Sequence, residues 1–412
     1  MFDVVVSCLV LTALFAYVNH QYVRLPPTIG VMVIALLLSL ALIGLDALGV
    51  GALHSYEVAL LKSVDFSGVL MQGMLSLLLF AGALHVDLDE LRSQRWPVGV
   101  LAVFGTVLST AIVGLTLWCL LPLVHLPLAL PYCLLFGALI SPTDPIAVMG
   151  ILKSAGAPKD LEITIAGESL FNDGVGVVLF ALLLETIAGG GLPTFAHGLS
   201  LFLKEAIGGI AFGLVLGHLT YRMLKSIDAY QVEILLTLAA VMGGYALANR
   251  LQVSGPLAMV VVGLMIGNQG RALAMSDTTR DHLDMFWELL DQILNSALFV
   301  LLGLQITLIH FAPNTVLAVI LVILVTLGAR LISVGVPLLV LRAVIKLPRG
   351  GWKILVWGGL RGGISVALAL SLPAGPARDL VLTLTYCVVV FSIIGQGSSM
   401  RAFTRRVLKA AA

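Results

Sequence analysis

Two short stretches bring ionisable, oxygen-bearing side chains into otherwise apolar sequence. The first is Ser141-Pro142-Thr143-Asp144-Pro145, in the middle of a hydrophobic run long enough to cross a bilayer. A charged side chain at the bilayer centre costs roughly 2.5–3.5 kcal/mol, and broken backbone is tolerated there only when packed in protein or lining a water-filled cavity. Pro145 lacks a backbone N–H and biases Asp144 out of the helical region, while Asp at an N-cap followed by Pro is a favoured helix start. Two half-helices meeting at Thr143 and Asp144 are therefore expected. Freed carbonyls at such a break can coordinate a cation, and the carboxylate can exchange a proton.

The second stretch is Gly167-Glu168-Ser169-Leu170-Phe171-Asn172-Asp173-Gly174. On a helix, Ser169 and Asp173 share one face at i,i+4, and Glu168 shares the neighbouring face with Asn172. A carboxylate with a hydroxyl suits a desolvated monovalent cation. Glu168 needs a counter-charge, and two basic residues lie inside apolar runs: Arg330 is the better candidate and Arg361 the alternative. A structural pair is preferred to ion binding for Glu168, because buried pairs mostly fix geometry.

Arg361 sits in Trp357-Gly358-Gly359-Leu360-Arg361-Gly362-Gly363-Ile364-Ser365. Four glycines in six residues make a poor helix, so a second interruption is expected here. Close packing through small residues is the competing reading.

The elements that must hold these residues follow from composition. Apolar residues make up 59% of the 412, charged residues 11%, and mean hydropathy is +1.08. That describes an all-α polytopic membrane protein. A crossing helix needs about 20 apolar residues, and the sequence offers thirteen such stretches: 3–20, 28–47, 67–85, 97–121, 130–151, 162–187, 203–222, 231–249, 254–269, 284–306, 315–341, 354–373 and 379–400. The start, Met1-Phe2-Asp3, lacks a basic leader, so the first run is expected to stay as a span.

Basic residues orient the bundle. Arg24, Arg92, Arg95, Lys153, Lys159, Arg222, Lys225, Arg271, Arg280, Arg342, Lys346, Arg349, Lys353, Arg401, Arg405, Arg406 and Lys409 fall on one side, and only Lys62, Lys204, Arg250 and Arg378 on the other. The positive-inside rule then puts the N-terminus outside and the C-terminus in the cytoplasm, which requires an odd number of spans. If spans 1–6 and 8–13 are inverted repeats joined by span 7, both interruptions are the fifth helix of their repeat. Interrupted segments in matching positions point to a transport site.

Other features carry less. The net charge of +1 gives no reason to expect a nucleic-acid partner. Cys8, Cys119, Cys133 and Cys387 lie in apolar runs without paired spacing and read as small buried apolar residues. Gly209, Gly213 and Gly217 suit close helix packing, within the chain or across a dimer. Asp284, Glu288 and Asp291 share a face at one end of span 10; a solvated interfacial face is preferred to a cation-attracting one. His85, His125 and His218 lie near span ends, where snorkelling is the default role.

On these residues the chain resembles a sodium/proton antiporter of the NhaP/NHE type in the cation:proton antiporter superfamily. Four segments carry the resemblance: Ser141 to Pro145 with the following Ile-Ala-Val; Gly167 to Gly174; Phe286-Trp287-Glu288 leading to Leu294-Asn295-Ser296 and Gly303; and Gly358 to Gly363. The resemblance implies a homodimer with a mobile core, approximately 97–187 and 315–400, and a dimerisation scaffold, approximately 3–85 and 203–306. It implies Asp144 and Asp173 as exchangeable carboxylates holding Na+, with Thr143 and Ser169 as further ligands. Asn172 becomes the first member of an Asn-Asp pair associated with electroneutral exchange. Glu168 and Arg330 correspond to a structural ion pair, and Pro142, Pro145, Gly359, Gly362 and Arg361 to the breaks and their charge compensation. One departure stands out: many relatives carry Glu on span 3 where this chain has Leu79-Phe80-Ala81-Gly82.

The expected activity is exchange of Na+, with Li+ as a second cation, for H+ across a bacterial plasma membrane, with a role in pH homeostasis. No cofactor and no enzymatic residue is expected. A K+/H+ antiporter of the same fold is the alternative. A cation channel is weaker still, for no repeated carbonyl or acidic ring is present. An intramembrane aspartyl protease would need Tyr-Asp and Gly-x-Gly-Asp motifs that are absent.

Overall fold

The computed structural model describes residues 2–49, 52–63, 66–189, 195–309, 313–341 and 347–411. Arg342 and Lys346, counted above in the charge asymmetry, lie outside them. The described residues contain helices and no strand. In chain order the helices that matter are α1 (Val6–Val23), α2 (Pro27–Ala47), α3 (Ala52–Ser63), α4 (Leu75–Leu84), α5 (Arg95–Val124), α6 (Leu130–Ile140), α7 (Ile146–Ala155), α8 (Lys159–Ile187), α9 (Gly198–Leu224), α10 (Tyr230–Arg250), α11 (Gly255–Leu273), α12 (Asp277–Thr307), α13 (Thr315–Val340), α14 (Gly351–Trp357), α15 (Gly363–Leu370) and α16 (Pro376–Ala410).

Ten of these, among the described residues, are long and apolar enough to cross a membrane: α1, α2, α5, α8 to α13 and α16. The other three predicted stretches contain shorter pieces. Residues 67–85 include α4, 130–151 divide into α6 and α7, and 354–373 divide between α14 and α15.

Local chemistry sets many helix starts. Ser254 accepts the Leu257 N–H and Ser276 the Thr279 N–H, satisfying donors that a helix leaves open at its N-terminus. Pro27 and Pro256 stand in first turns, where the missing N–H costs nothing. At the first break the expected cap is corrected. Pro145, not Asp144, is the N-cap of α7, and its carbonyl accepts from Val148 and Met149 at 3.0 and 2.8 Å. Helical backbone pairing begins at the Pro145 carbonyl, so the turn starts one residue later than the Asp-Pro pattern suggests.

Packing joins α5 to α6 and α13, α6 to α8, α9 to α11, α2 to α12, and α4 to α11. The glycine face of α9 is used inside the chain: Gly209, Gly213 and Gly217 lie against Ser254, Ala258 and Met265 on or beside α11. The opposite side of α9 exposes Leu203, Ile207, Ile210 and Leu214, as a surface bathed in hydrocarbon would. The cysteine reading needs correcting as well. Only Cys133 is buried, Cys8 and Cys387 are half-buried, and Cys119 is exposed, because an apolar run in a membrane helix has an outward face as well as an inward one.

Candidate cation and proton site

The two helix breaks cross. The Asp144 N–H donates to the Leu360 carbonyl at 2.8 Å. Arg361, buried in the second break, donates to the carbonyls of Ser141 and, at 3.0 Å, Pro142 in the first. Those carbonyls stand just past the C-terminus of α6, the negative end of a helix, where a guanidinium is electrostatically matched. The Asp144 carboxylate packs against Gly362, the N-cap of α15, so an acid faces the positive end of the other half-helix.

Neighbouring helices hold both breaks in shape. Ser141 Oγ reaches Ser109 Oγ of α5 at 2.9 Å and the Gly137 carbonyl at 2.7 Å. On the second break, Ser392 Oγ of α16 accepts the Arg361 N–H at 2.9 Å and donates to Gln396, whose amide in turn donates to the Trp357 carbonyl at 3.2 Å.

From α8 come three distinct contacts. Asn172 accepts the Thr143 N–H at 3.2 Å and donates to Thr143 Oγ1 at 2.9 Å, while Ser169 Oγ lies 3.0 Å from the same Thr143 hydroxyl. Glu168 is bridged by both terminal nitrogens of Arg330, the second at 3.0 Å, and that nitrogen also donates to the Leu355 carbonyl at 2.9 Å. Of the two partners open to Glu168 in the sequence, the geometry takes Arg330. Gly359 gives the guanidinium room, since a Cβ there would stand 2.5 Å from Arg330 Nε.

Asp173 points elsewhere, into a cavity of about 410 Å³. Its wall also includes Thr143 and Asp144, with Pro142, Pro145 and Gly362 from the breaks. The cavity extends to His85 at the end of α4 and Lys153 in the last turn of α7. Asp144 is within electrostatic reach of Asp173. Ser169 and Asn172 are not on this wall; they stand behind Thr143 and fix it. Glu168 and Arg330 also lie off the cavity.

Helix α12 also reaches the cavity wall. Its acids do not act as one face: Asp284 pairs with Arg271, Glu288 is exposed and accepts from Gln292 at 3.3 Å, and Asp291 lines the cavity with Asn295. The usable signal was the i,i+4 spacing of Asp291 and Asn295, which places both on one strip of the helix.

Comparison with known proteins agrees with this architecture. Residues 10–406 match the family model described as "Sodium/hydrogen exchanger, transmembrane". The chain is 54% identical over 411 residues to the Na+/H+ antiporter NhaP of Pseudomonas aeruginosa, covering 99% of this chain and 97% of that one. It is 35% identical to the Na+/H+ antiporter NhaH of Halobacillus dabanensis, with 98% of each covered. The structure of the sodium proton antiporter MjNhaP1 from Methanocaldococcus jannaschii at pH 8 superposes with a TM-score of 0.78, at 20% identity and 97% coverage of both chains, a likeness of fold.

Proposed function

This chain belongs to the sodium/hydrogen exchanger family, and from that premise we propose how its own residues carry out the exchange. It is a Na+/H+ antiporter of the NhaP type and an integral membrane protein. In our reading Asp144 and Asp173 are the carboxylates that take Na+ and H+ in turn. The observation that carries it is their shared cavity wall at the crossing of two helix breaks.

A buried carboxyl holds its proton more tightly than one in water, whereas an adjacent cation favours the ionised form. Na+ arriving at the pair therefore expels a proton, and a proton arriving expels Na+. A bare carboxylate is expensive to carry through low dielectric, so the site crosses only when neutralised by one or the other. That condition couples the two fluxes and makes transport alternating access. Thr143 is the third oxygen donor, and Ser169 and Asn172 act by positioning it. With Asn172 in place of a further acid, one H+ is exchanged for one Na+ and the cycle is electroneutral.

The remaining architecture belongs to the same proposal. The chain crosses thirteen times as two inverted repeats, 1–6 and 8–13, about span 7, with the N-terminus outside and the C-terminus in the cytoplasm. A core of approximately 97–187 and 315–400 moves against a scaffold of approximately 3–85 and 203–306, which pairs with a second copy. The cavity end at His85 and Lys153 then faces the cytoplasm. Plasma-membrane placement, a role in pH homeostasis and acceptance of Li+, with K+ as the weaker substrate, complete the reading.

The test is proton flux in proteoliposomes with Na+, Li+ and K+ in turn, with and without a clamped membrane potential. Na+-dependent flux that ignores the potential is expected, together with its loss in Asp173→Asn. Exchange that survives in Asp173→Asn would end the scheme.

A further inference from the structure

Asp291 and Asn295 have no part in the exchange scheme above, yet α12 turns both onto the cavity wall that carries Asp144 and Asp173. Asn295 is 1% exposed, and apart from Asp291 one turn away no group satisfies its amide oxygen or nitrogen. A buried amide left in that condition is costly, and a ligand, a water or local strain has to account for it. Among the described residues, no Lys, Arg or His comes within ion-pair distance of Asp291. The charged and titratable groups on the same wall are Asp144, Asp173, Lys153 and His85.

The chemistry on offer is oxygen: a carboxylate from Asp291 and an amide carbonyl from Asn295, one turn apart on the same side of the helix. Hard cations take such donors in exchange for their water shell. Among the described residues, no three His, Cys, Asp or Glu side chains converge on one ion position. Asp291 therefore stands beside the Asp144 and Asp173 pair rather than completing it. On span 3, Gly82 lines the cavity and supplies no carboxylate, so the acids on the wall are Asp144, Asp173 and Asp291.

We propose that Asp291 and Asn295 form a loading subsite, which holds the monovalent cation between the cavity mouth and the Asp144 and Asp173 pair and hands it inward. The subsite rests on the exchange scheme and adds a residence for the cation before the competition with H+. It belongs to a different segment of the chain from the two exchanging acids. Its contribution therefore falls on capture of the cation rather than on the crossing itself.

Na+-dependent proton flux in proteoliposomes tests this with four variants. Asp291→Asn is expected to raise the Na+ concentration for half-maximal exchange about tenfold, the size of effect that loss of one charged partner produces, with maximal rate little changed. Asp291→Glu restores the carboxylate and brings the half-saturating concentration back. Glu288→Gln, exposed on the same helix, leaves it where it was. Asp173→Asn in the same vesicles separates the two ideas. If it abolishes exchange while Asp291→Asn leaves half-saturation unchanged, the subsite is overturned and the exchange scheme stands. A fall in maximal rate alone in Asp291→Asn, with no recovery in Asp291→Glu, also overturns it, by marking Asp291 as structural.

Discussion

The Asp144 N–H donates to the Leu360 carbonyl at 2.8 Å, so the acid of one helix break is held by the backbone of the other. Arg361, next in sequence to Leu360, returns the connection through its guanidinium to Ser141 and Pro142. Backbone and side chain together close a loop between segments more than two hundred residues apart in sequence.

Replacing Arg361 removes the cation that offsets the carbonyl end of α6. Arg361→Ala is expected to lower exchange per folded protein at least about tenfold, since hydrogen bonds to charged groups contribute about 1.5–3 kcal/mol. Arg361→Lys should keep the fold but recover only part of the rate, because the lysine chain is one bond shorter than the path to Nη1, the single nitrogen that donates to both carbonyls. Melting temperature in detergent and Na+-dependent proton flux measure the two effects separately.

Two glycines in the second break divide transport from stability. A Cβ at Gly362 would lie 2.5 Å from Asp144 Oδ2, whereas one at Gly359 would lie 2.5 Å from Arg330 Nε. Gly362→Ala is therefore expected to impair exchange with a near-normal melting temperature. Gly359→Ala should lower the melting temperature first. Equal thermal losses in the two variants would contradict this division.

Glu168 and Arg330 form a buried bidentate pair away from the cavity. Removing one partner strands the other charge, at a cost of about 3–5 kcal/mol. Glu168→Leu or Arg330→Met alone is expected to reduce the yield and melting temperature of the folded protein sharply. The double variant should recover much of the loss and retain Na+/H+ exchange, because neither residue touches the ion path. A double variant that is folded but inert would place the pair in the transport chemistry.

Glu57 makes stability depend on pH from outside the crossing helices. It is buried on α3, accepts from Ser39 Oγ, and has His54 Nδ1 4.0 Å from its second oxygen. Burial pushes its carboxyl above the usual carboxylate range, with Ser39 and His54 opposing. A raised folded-state value means the stabilisation is complete below the unfolded value and is lost as pH rises through the folded one. Glu57→Gln should match the parent protein in acid and melt about 1–2 °C higher at alkaline pH. A constant difference across the titration would show that proton binding at Glu57 is not responsible.

Both breaks were legible in the sequence because proline and glycine act locally: a missing N–H and a poor helix former declare themselves without any partner. The ionisable residues were legible for a similar reason, since each is conspicuous in an apolar run. Their pairings were not. Nothing in the sequence ties Leu360 to Asp144, and Arg330 is only the better of two candidates for Glu168 until the packing of α8, α13 and the second break decides for it. The division of labour on α8 was hidden too. Ser169 and Asp173 share a helical face by spacing, yet Thr143 occupies the ground in front of Ser169 and leaves only Asp173 on the cavity. On α12 the same limit applied, because periodicity names a face and not the element that covers it.

The crossing has a mechanical consequence. Because the two interruptions are riveted to one another through Leu360 and Arg361, neither can flex like an independent hinge. A tilt that carried Asp144 toward the far leaflet would drag α14 and α15 with it as one lever. Slack then belongs at the ends of that lever, where the chain leaves it through Gly156 after α7 and Gly375 before α16, both at positive φ.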